Sequence, residues 1–191
     1  MAGIVDFEVA PTGIDGLRII ASKQVTDERG TVREVFRRSA FEAAGLDLGR
    51  FDQINNTRSV RGVIRGMHAE SVTKLVTVAA GEAFGAYVDL RPASPTFGAV
   101  ETISLRPGTC MVVPPGVANG FQAVSETCEY LYCFDAEWQP DMAGEACTPL
   151  DPELAIAWPV ALDADDARVS AKDRAAPTLA ELRAEPGEAP S

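Results

Sequence analysis

The sequence predicts an all-β fold, an antiparallel sandwich or barrel, and two observations support this prediction. Between about residues 53 and 134, short runs rich in Val, Leu, Phe, Tyr and Thr alternate with turn formers such as Gly81 and Pro114-Pro115-Gly116. Strands of about 5–8 residues with turns this regular are typical of antiparallel sheets. No long helical patterns alternate with these runs, which disfavours a βαβ fold.

The strands and helices can be placed along the chain from local signals. We expect strands at residues 31–36, 63–68, 74–80, 82–90, 99–105, 109–113 and 127–134. A capping box at Ser39-Ala-Phe-Glu42 predicts a helix of one or two turns that ends at Gly45. A second box, Thr178-Leu-Ala-Glu181, predicts a helix over residues 179–183.

The length of 191 residues predicts a single domain. We expect a β core with N-terminal strands over about residues 8–160, followed by a helical extension to about residue 184. The tail at residues 185–191 has the composition of a disordered segment.

The charge balance disfavours nucleic acid and membrane partners. Lys and Arg number 17 against 28 Asp and Glu, a net charge of −11, and such a surface repels duplex nucleic acid and anionic lipid. The small group Arg58, Arg61 and Arg65 suffices for one or two phosphates. No apolar run approaches the ~20 residues that span a bilayer. The N-terminus is acidic where a signal peptide has a basic flank, so we expect a cytoplasmic protein.

The metal-binding residue types are scarce. His68 is the single histidine, whereas zinc, iron and copper sites usually need two or three imidazoles or several thiolates. The four cysteines, Cys110, Cys128, Cys133 and Cys147, show no CxxC spacing. We predict that the cysteines are buried and reduced and that the chain has no metal site.

The segment Val63-Ile-Arg-Gly-Met-His68 places an arginine and the histidine three residues apart. A separation of three residues puts Arg65 and His68 on opposite faces of an ideal strand, so Gly66 is predicted to mark a bulge or bend. One interpretation makes Arg65 an anion clamp and His68 a general base; the other is a surface histidine beside a solvated arginine. The candidate acid that would orient the base is Asp151, for which a plain turn role before Pro152 is the alternative.

A series of further motifs follows in one order between about residues 8 and 180. They are Ile14-Asp-Gly-Leu17, Asp27-Glu-Arg-Gly30, Gln53-Ile-Asn55, Gly62-Val-Ile-Arg-Gly-Met-His68, Lys74-Leu-Val76, Val88-Asp-Leu-Arg91, Ser94-Pro-Thr-Phe-Gly98, Pro115-Gly-Val-Ala-Asn-Gly-Phe121, Asp151-Pro152, Ile156-Ala-Trp-Pro159 and Ser170-Ala-Lys-Asp173. Together they resemble the dTDP-4-dehydrorhamnose 3,5-epimerase family, which has a cupin-like jelly-roll fold.

The resemblance implies a homodimer that exchanges N-terminal strands, a dTDP-linked 4-keto-6-deoxyhexose as substrate, and no metal or redox cofactor. The 4-keto group of such a sugar makes the protons on C3 and C5 removable. A base takes one of them, an enolate forms, and reprotonation from the opposite face inverts the carbon.

Carried over by position, the resemblance assigns His68 as the base, Asp151 as its orienting partner and Lys74 as a cation near the enolate oxygen. It assigns the contacts to diphosphate and sugar to Arg29, Gln53, Asn55 and Arg65.

Three departures from the family pattern affect the expected activity. Trp138 takes the place of a tyrosine that serves as the opposite-face acid, and an indole N–H has no useful acidity. Asn119 takes the place of a histidine, so we expect altered ligand contacts at Asn119 and Trp138. The stretch between His68 and Lys74 is shortened, and Glu70 within it is a rim residue or a substitute acid.

Loss of a general acid typically costs ~10²–10⁴ in rate. We therefore expect an isomerase that epimerises one centre, C3 or C5. Two alternatives remain open on the same scaffold: another isomerase or a lyase, and a non-catalytic protein that binds a sugar nucleotide.

Overall fold

The computed structural model describes residues 3–140, 142–162 and 167–184, and its strands form two large antiparallel sheets and one small one. The strands are β1 (Gly3–Val5), β2 (Glu8–Pro11), β3 (Arg18–Ala21), β4 (Gln24–Asp27), β5 (Gly30–Arg33), β6 (Gln53–Val60), β7 (Ile64–Glu70), β8 (Lys74–Ala80), β9 (Ala83–Asp89), β10 (Val100–Leu105), β11 (Thr109–Val113), β12 (Val117–Ala123), β13 (Thr127–Phe134) and β14 (Gly144–Ala146). The predicted all-β class is confirmed.

The order of the strands is that of a jelly-roll sandwich. One sheet has the order β10-β9-β12-β7-β14, and the other has the order β2-β3-β11-β8-β13-β6. The third sheet, β1-β4-β5, is built from N-terminal strands. From β6 to β9, and again from β10 to β14, consecutive strands alternate between the two large sheets, so residues distant in sequence meet across the space between them.

Alternating side chains of both large sheets form the main core. Tyr87 and Phe121 from the five-stranded sheet pack with Val76, Met111 and Tyr130 from the six-stranded sheet, and all five are at most 1% exposed. The rings of Phe121 and Tyr130 stack with their centroids 4.0 Å apart. Complete burial of each such side chain stabilises the fold by about 1.5–3 kcal/mol.

The outer faces of both sheets are also covered. Helix α1 (Arg38–Ala43) places Phe41 against Leu75 and Cys133 on the six-stranded sheet. The C-terminal part of the chain places Leu154 and Leu179 on the five-stranded sheet. Every residue of β12 is consequently buried, as expected for a strand with both faces covered.

Most predicted strand limits are close to those observed. Strands β8, β11 and β13 have the predicted limits, and β10 begins one residue later than expected. Strand β5 ends at Arg33, three residues before the predicted end.

Both predicted helices are present, but their predicted caps have different outcomes. The first capping box is wrong, because α1 begins at Arg38 without a side-chain cap and Ser39 lies inside the helix. Burial of Phe41 anchors this short helix instead. The second box is confirmed: Thr178 Oγ1 accepts the N–H of Glu181 at 3.3 Å, and the Glu181 carboxylate accepts the N–H of Thr178 at 2.7 Å, where α3 (Leu179–Ala184) begins. The predicted disordered tail, 185–191, lies outside the described residues.

The cysteines are free and buried, as predicted. Within the described residues, no cluster of three or more His, Cys, Asp or Glu side chains could hold a metal ion. No described helix has the length and apolar character needed to cross a membrane.

Candidate active site

A cavity of about 800 Å³ opens between the two large sheets. His68 on β7 and Asn119 on β12 line it from the five-stranded sheet, and Asn55 on β6 and Tyr132 on β13 line it from the six-stranded sheet. This volume is typical of a site for a small organic ligand. The cavity therefore collects polar side chains from both sheets.

A bulge in β7 turns both Arg65 and His68 into the cavity, as the sequence predicted. The pairing with β12 shifts register between Asn119, which opposes His68, and Phe121, which opposes Arg65. Gly66 lies at the shift with φ +121°, and a Cβ there would be 2.6 Å from the Cα of Gly120. Only glycine permits this backbone conformation and this close approach.

The partner of His68 is Asp173. The Nε2 atom of His68 is 2.8 Å from Oδ1 of Asp173, which lies on a short helix, α2 (Ala171–Arg174). Ser170 caps this helix by accepting the N–H of Asp173 at 3.0 Å. Burial by itself would raise the pKa of Asp173, but hydrogen bonds involving His68, Ser170 and the backbone of Gly66 hold it below its usual value. An ionised Asp173 accepts the Nε2 proton of a neutral imidazole, which leaves Nδ1 as the basic nitrogen.

The prediction that Asp151 orients His68 is wrong. Asp151 precedes the 3₁₀ turn Pro152–Leu154, and its carboxylate accepts the N–H groups of Glu153 at 2.9 Å and Leu179 at 2.6 Å. Without the Asp151 carboxylate, the backbone N–H groups at these two helix starts would lack a hydrogen-bond acceptor. Asp151 lines a different cavity, of about 250 Å³, and is therefore a structural cap.

The motif Ser170-Ala-Lys-Asp173 carried the signal for the correct partner. A serine followed three residues later by an acid is the pattern of a capped helix start, and it indicates where α2 begins. That pattern does not say which strand the helix contacts. The contact between His68 and Asp173 joins residues 105 positions apart.

Tyr132 is a cavity residue that sequence reasoning missed. It lies on β13, in the sheet that faces His68, and its ring is part of the cavity wall. Burial raises the pKa of its hydroxyl above the ordinary value, against the influence of the Arg65 charge. A hydroxyl group other than the missing tyrosine at position 138 is therefore present at the cavity, and Tyr132 is a candidate for the opposite-face acid. The alternation of Tyr130, Tyr132 and Phe134 along one strand was the available signal.

The predicted ligand contacts divide into three groups. Asn55, Arg65, Asn119 and Trp138 line the cavity. Gln53 lies next to two of them: it donates to Asn55 Oδ1 at 3.1 Å and accepts the backbone N–H of Trp138 at 2.8 Å. Arg29 lies at the turn between β4 and β5, where its side chain is 84% exposed and paired with Asp27, and it does not line the cavity of its own chain.

The cavity wall carries charges of both signs. Arg65, Arg168 and Lys172 line it together with the carboxylates of Glu70, Glu145 and Asp173. Guanidinium and ammonium groups in this arrangement suit a phosphorylated ligand. Arg168 and Lys172 were not among the predicted site residues.

Lys74 lies behind the cavity wall formed by His68 and Glu70. Its ammonium donates to the carboxylate of Glu70 and, at 3.1 Å, to the main-chain carbonyl of His68. Burial lowers the pKa of Lys74, and the neighbouring charge of Glu70 acts in the opposite direction.

Comparisons of the sequence with known proteins identify one enzyme family. The sequence profile of the dTDP-4-dehydrorhamnose 3,5-epimerase family matches residues 11–181. A dTDP-4-dehydrorhamnose 3,5-epimerase of Methanothermobacter thermautotrophicus is 37% identical over 177 residues, which cover 90% of this chain and 94% of the relative.

Two solved structures extend the comparison to the fold. NovW, a 4-keto-6-deoxy sugar epimerase from Streptomyces spheroides, superposes with a TM-score of 0.85 at 34% identity, covering 94% of this chain and 91% of NovW. ChmJ, a 3′-monoepimerase from Streptomyces bikiniensis, was solved with dTDP and with one histidine and one tyrosine replaced. It gives a TM-score of 0.80 at 28% identity, covering 91% of this chain and 88% of ChmJ.

Proposed function

The chain belongs to the dTDP-4-dehydrorhamnose 3,5-epimerase family, and from this premise we propose that His68 and Tyr132 invert one carbon, C3 or C5, of a dTDP-linked 4-keto-6-deoxyhexose. The chain is an isomerase that acts on a dTDP-linked sugar. One observation carries the finer proposal: an imidazole and a phenol lie in facing sheets around one cavity.

The first half of the reaction belongs to His68. Asp173 holds the Nε2 proton, so the other ring nitrogen takes the proton on the carbon next to the keto group. The electron pair of the broken C–H bond moves into an enolate, whose negative charge resides on the former keto oxygen. The ammonium of Lys74 lies behind this wall and stabilises that charge.

The second half belongs to Tyr132. From the opposite sheet, its hydroxyl gives a proton to the same carbon on the other face, and the carbon is inverted. Because the pKa of Tyr132 is raised, its phenol is still protonated when the enolate forms and can donate that proton. The imidazolium and the tyrosinate then exchange protons with solvent, which restores the enzyme. A structural relative solved with a histidine and a tyrosine replaced has lost the two residue types assigned here.

The remaining cavity residues bind the substrate. Arg65 and Lys172 supply positive charge for the diphosphate, and Asn55, Asn119 and Trp138 contact the nucleoside and the sugar. One base and one acid serve one carbon in a given binding pose, so inversion of the second carbon requires the sugar to change its pose. This argument favours a single centre, whereas inversion at both centres is the activity in the names of several relatives.

Proton NMR of dTDP-4-keto-6-deoxyglucose in D₂O with this enzyme tests the proposal. We expect deuterium at one of C3 and C5, together with inverted product. His68→Ala should abolish both. Tyr132→Phe should retain deuterium exchange and lose inverted product by about 10²–10⁴-fold, and Trp138→Phe should retain both. Deuterium at both carbons would identify a double epimerase, and no exchange with the wild-type protein would contradict the proposed substrate.

We also propose that the protein is a homodimer and works in the cytoplasm. Strand β6 is an edge of its sheet with Ile54 and Val60 exposed by 63% and 60%, and such an edge is a template for a strand from another chain. The small N-terminal sheet exposes Ile4 and Val32 and is a source of that strand. Exchange of this region would also carry Arg29 towards the partner's cavity. Free buried cysteines fit a reducing compartment.

A further inference from the structure

Glu70 connects the two large sheets at the wall of the cavity. It lies on β7, and its carboxylate forms an ion pair with the ammonium of Lys74 on β8 in the opposite sheet. The side chain of Lys74 is 1% exposed, whereas that of Glu70 is 18% exposed and lines the cavity. The carboxylate therefore lies between a buried cation and the space for the substrate.

The ammonium also contacts the strand of the base. Lys74 Nζ donates to the main-chain carbonyl of His68 at 3.1 Å. Within residues 3–140, 142–162 and 167–184, this carbonyl and the Glu70 carboxylate are its acceptors, and a lysine carries three donors. The ammonium is thus held at the back of the cavity wall, with its side chain 1% exposed.

A buried ammonium needs a nearby anion. Low-dielectric surroundings stabilise a charge poorly, and removal of one partner from a buried pair leaves the other uncompensated. Burial lowers the pKa of Lys74, while the charge and hydrogen bond of Glu70 raise it. Without the carboxylate, Lys74 would give up its proton at a lower pH.

The other ionisable groups nearby are engaged elsewhere or lie further along the cavity. They are Arg65 and His68 on β7, Tyr132 on β13, Asp135 directly after β13, and Glu145 on β14. Asp135 accepts the backbone N–H of Thr73 at 3.0 Å. Strand β11 faces Lys74 with the apolar Val113. Among the described residues, Glu70 is thus the carboxylate that pairs with Lys74.

We propose, on the basis of the proposed epimerase function, that Glu70 is a positioning residue for Lys74: it keeps this side chain an ammonium and holds it against the strand of His68, where its positive charge stabilises the enolate from behind the cavity wall. Glu70 then acts through Lys74 and not as a proton donor to the sugar. This role differs from that of a substitute acid, because it requires the carboxylate to stay ionised during turnover.

The first test needs no substrate. The chain has three lysines, Lys23, Lys74 and Lys172, so ¹³Cε-lysine NMR of the intact protein resolves few signals, and Lys74→Arg assigns the relevant one. We expect Glu70→Gln to lower the titration midpoint of Lys74 by about 1–3 pH units. Glu145→Gln, which removes another carboxylate of the same cavity, should leave that midpoint in place. An unchanged midpoint in Glu70→Gln would overturn the proposal.

The second test is the pH profile of turnover of dTDP-4-keto-6-deoxyglucose. Above the lowered midpoint, Glu70→Gln should lose kcat by about 10²–10³-fold with KM changed far less, and below it kcat should recover. Glu70→Asp, which keeps the charge, should retain most of the wild-type profile. An equal loss of kcat at every pH would indicate a merely structural role and overturn the proposal. If the wild-type protein fails to turn over this sugar while the NMR midpoint shifts as expected, the proposed function fails and the link between Glu70 and Lys74 stands.

Discussion

Two aspartates near the C-terminus use the same functional group for different tasks. Asp173 accepts from the imidazole of His68 at 2.8 Å, whereas Asp151 accepts the backbone N–H groups of Glu153 and Leu179. A carboxylate that pairs with a catalytic base affects the reaction, while one that caps a helix affects stability. The two aspartates can therefore be separated by experiment.

We expect Asp173→Asn to lower kcat by about 10²–10⁴-fold, because an amide neither fixes the tautomer of His68 nor stabilises the imidazolium. Asp151→Asn should leave kcat nearly unchanged and lower the free energy of unfolding by about 1 kcal/mol. Steady-state kinetics and urea unfolding of both variants check this. A large loss of kcat in the Asp151 variant would reverse the assignment.

Through its resemblance to the family, the sequence predicted several site residues that lie on strands. His68, Asn55 and Asn119 all line the cavity. The sequence could not predict Asp173, because that contact depends on where a four-residue helix packs. Tyr132 was overlooked because Trp138 was taken to occupy the position of the family's tyrosine.

At the scale of elements, the bulge in β7 places His68, the proposed base, at the cavity. An added Cβ at Gly66 would collide with backbone atoms of β12, 2.6 Å from Gly120 Cα and 2.8 Å from Asn119 O. We expect Gly66→Ala to lower kcat by at least about 10²-fold, as a displaced catalytic group does, and to destabilise the fold by about 1–3 kcal/mol.

Gly45→Ala is the matched control for the bulge. Gly45 also has a positive φ, +78°, but no atom lies within 4 Å of an added Cβ. This variant should show backbone strain of about 1 kcal/mol and wild-type kcat. If both variants kept wild-type kcat, the bulge would have no part in placing His68.

The loop after β9 is held by one buried carboxylate. Asp89 has no exposed side-chain surface and accepts hydrogen bonds from Arg91, Ser94 and Thr96. Burial alone would raise its pKa, but these hydrogen bonds lower it well below the ordinary value of 3.8. The unfolded chain therefore binds a proton at a higher pH than the folded protein does. The stabilisation is complete above about pH 5 and is lost progressively as the pH falls through the lowered pKa of Asp89.

We expect Asp89→Asn to lower the free energy of unfolding at pH 7 by about 2–3 kcal/mol, and this difference from wild type should shrink at pH 3. Urea unfolding at both pH values measures it. Asp27→Asn removes a carboxylate with the same spacing to an arginine, Arg29, on an exposed turn. This control should change stability far less, and a difference that grew as the pH fell would contradict the assignment for Asp89.

For the whole molecule, the sequence predicted the fold class and many strand limits but not the pairing of the sheets. Strands β8, β11 and β13 could be delimited because turn formers flank them. Neither β14 nor the edge strand β6 was assigned limits, and the pairing of β14 with β7 depends on long-range contacts. Arg29 does not line the cavity of its own chain, so its predicted contact with the ligand depends on the proposed second copy.

In the proposed dimer, Arg29 of each chain reaches the cavity of the partner subunit, and this role can be tested. If Arg29 binds the diphosphate in the partner's cavity, Arg29→Ala should raise KM by about 10–100-fold, the loss of one charge-assisted hydrogen bond. Light scattering should show a dimer for wild type and for this variant, whereas a charge at the sheet edge, Ile54→Glu, should give monomers.

Mixed dimers separate action in the partner's cavity from action within one chain. A His68→Ala chain has no base but can donate Arg29, and an Arg29→Ala chain has its base but lacks the arginine. Co-expression should restore about a quarter of wild-type activity at low substrate, because random pairing makes half the dimers mixed and gives each one complete site. Without strand exchange, Arg29 could act only on its own cavity, and the mixture would be no more active than the Arg29→Ala protein at the same concentration. Recovery of activity would therefore show that each active site is completed by the other chain.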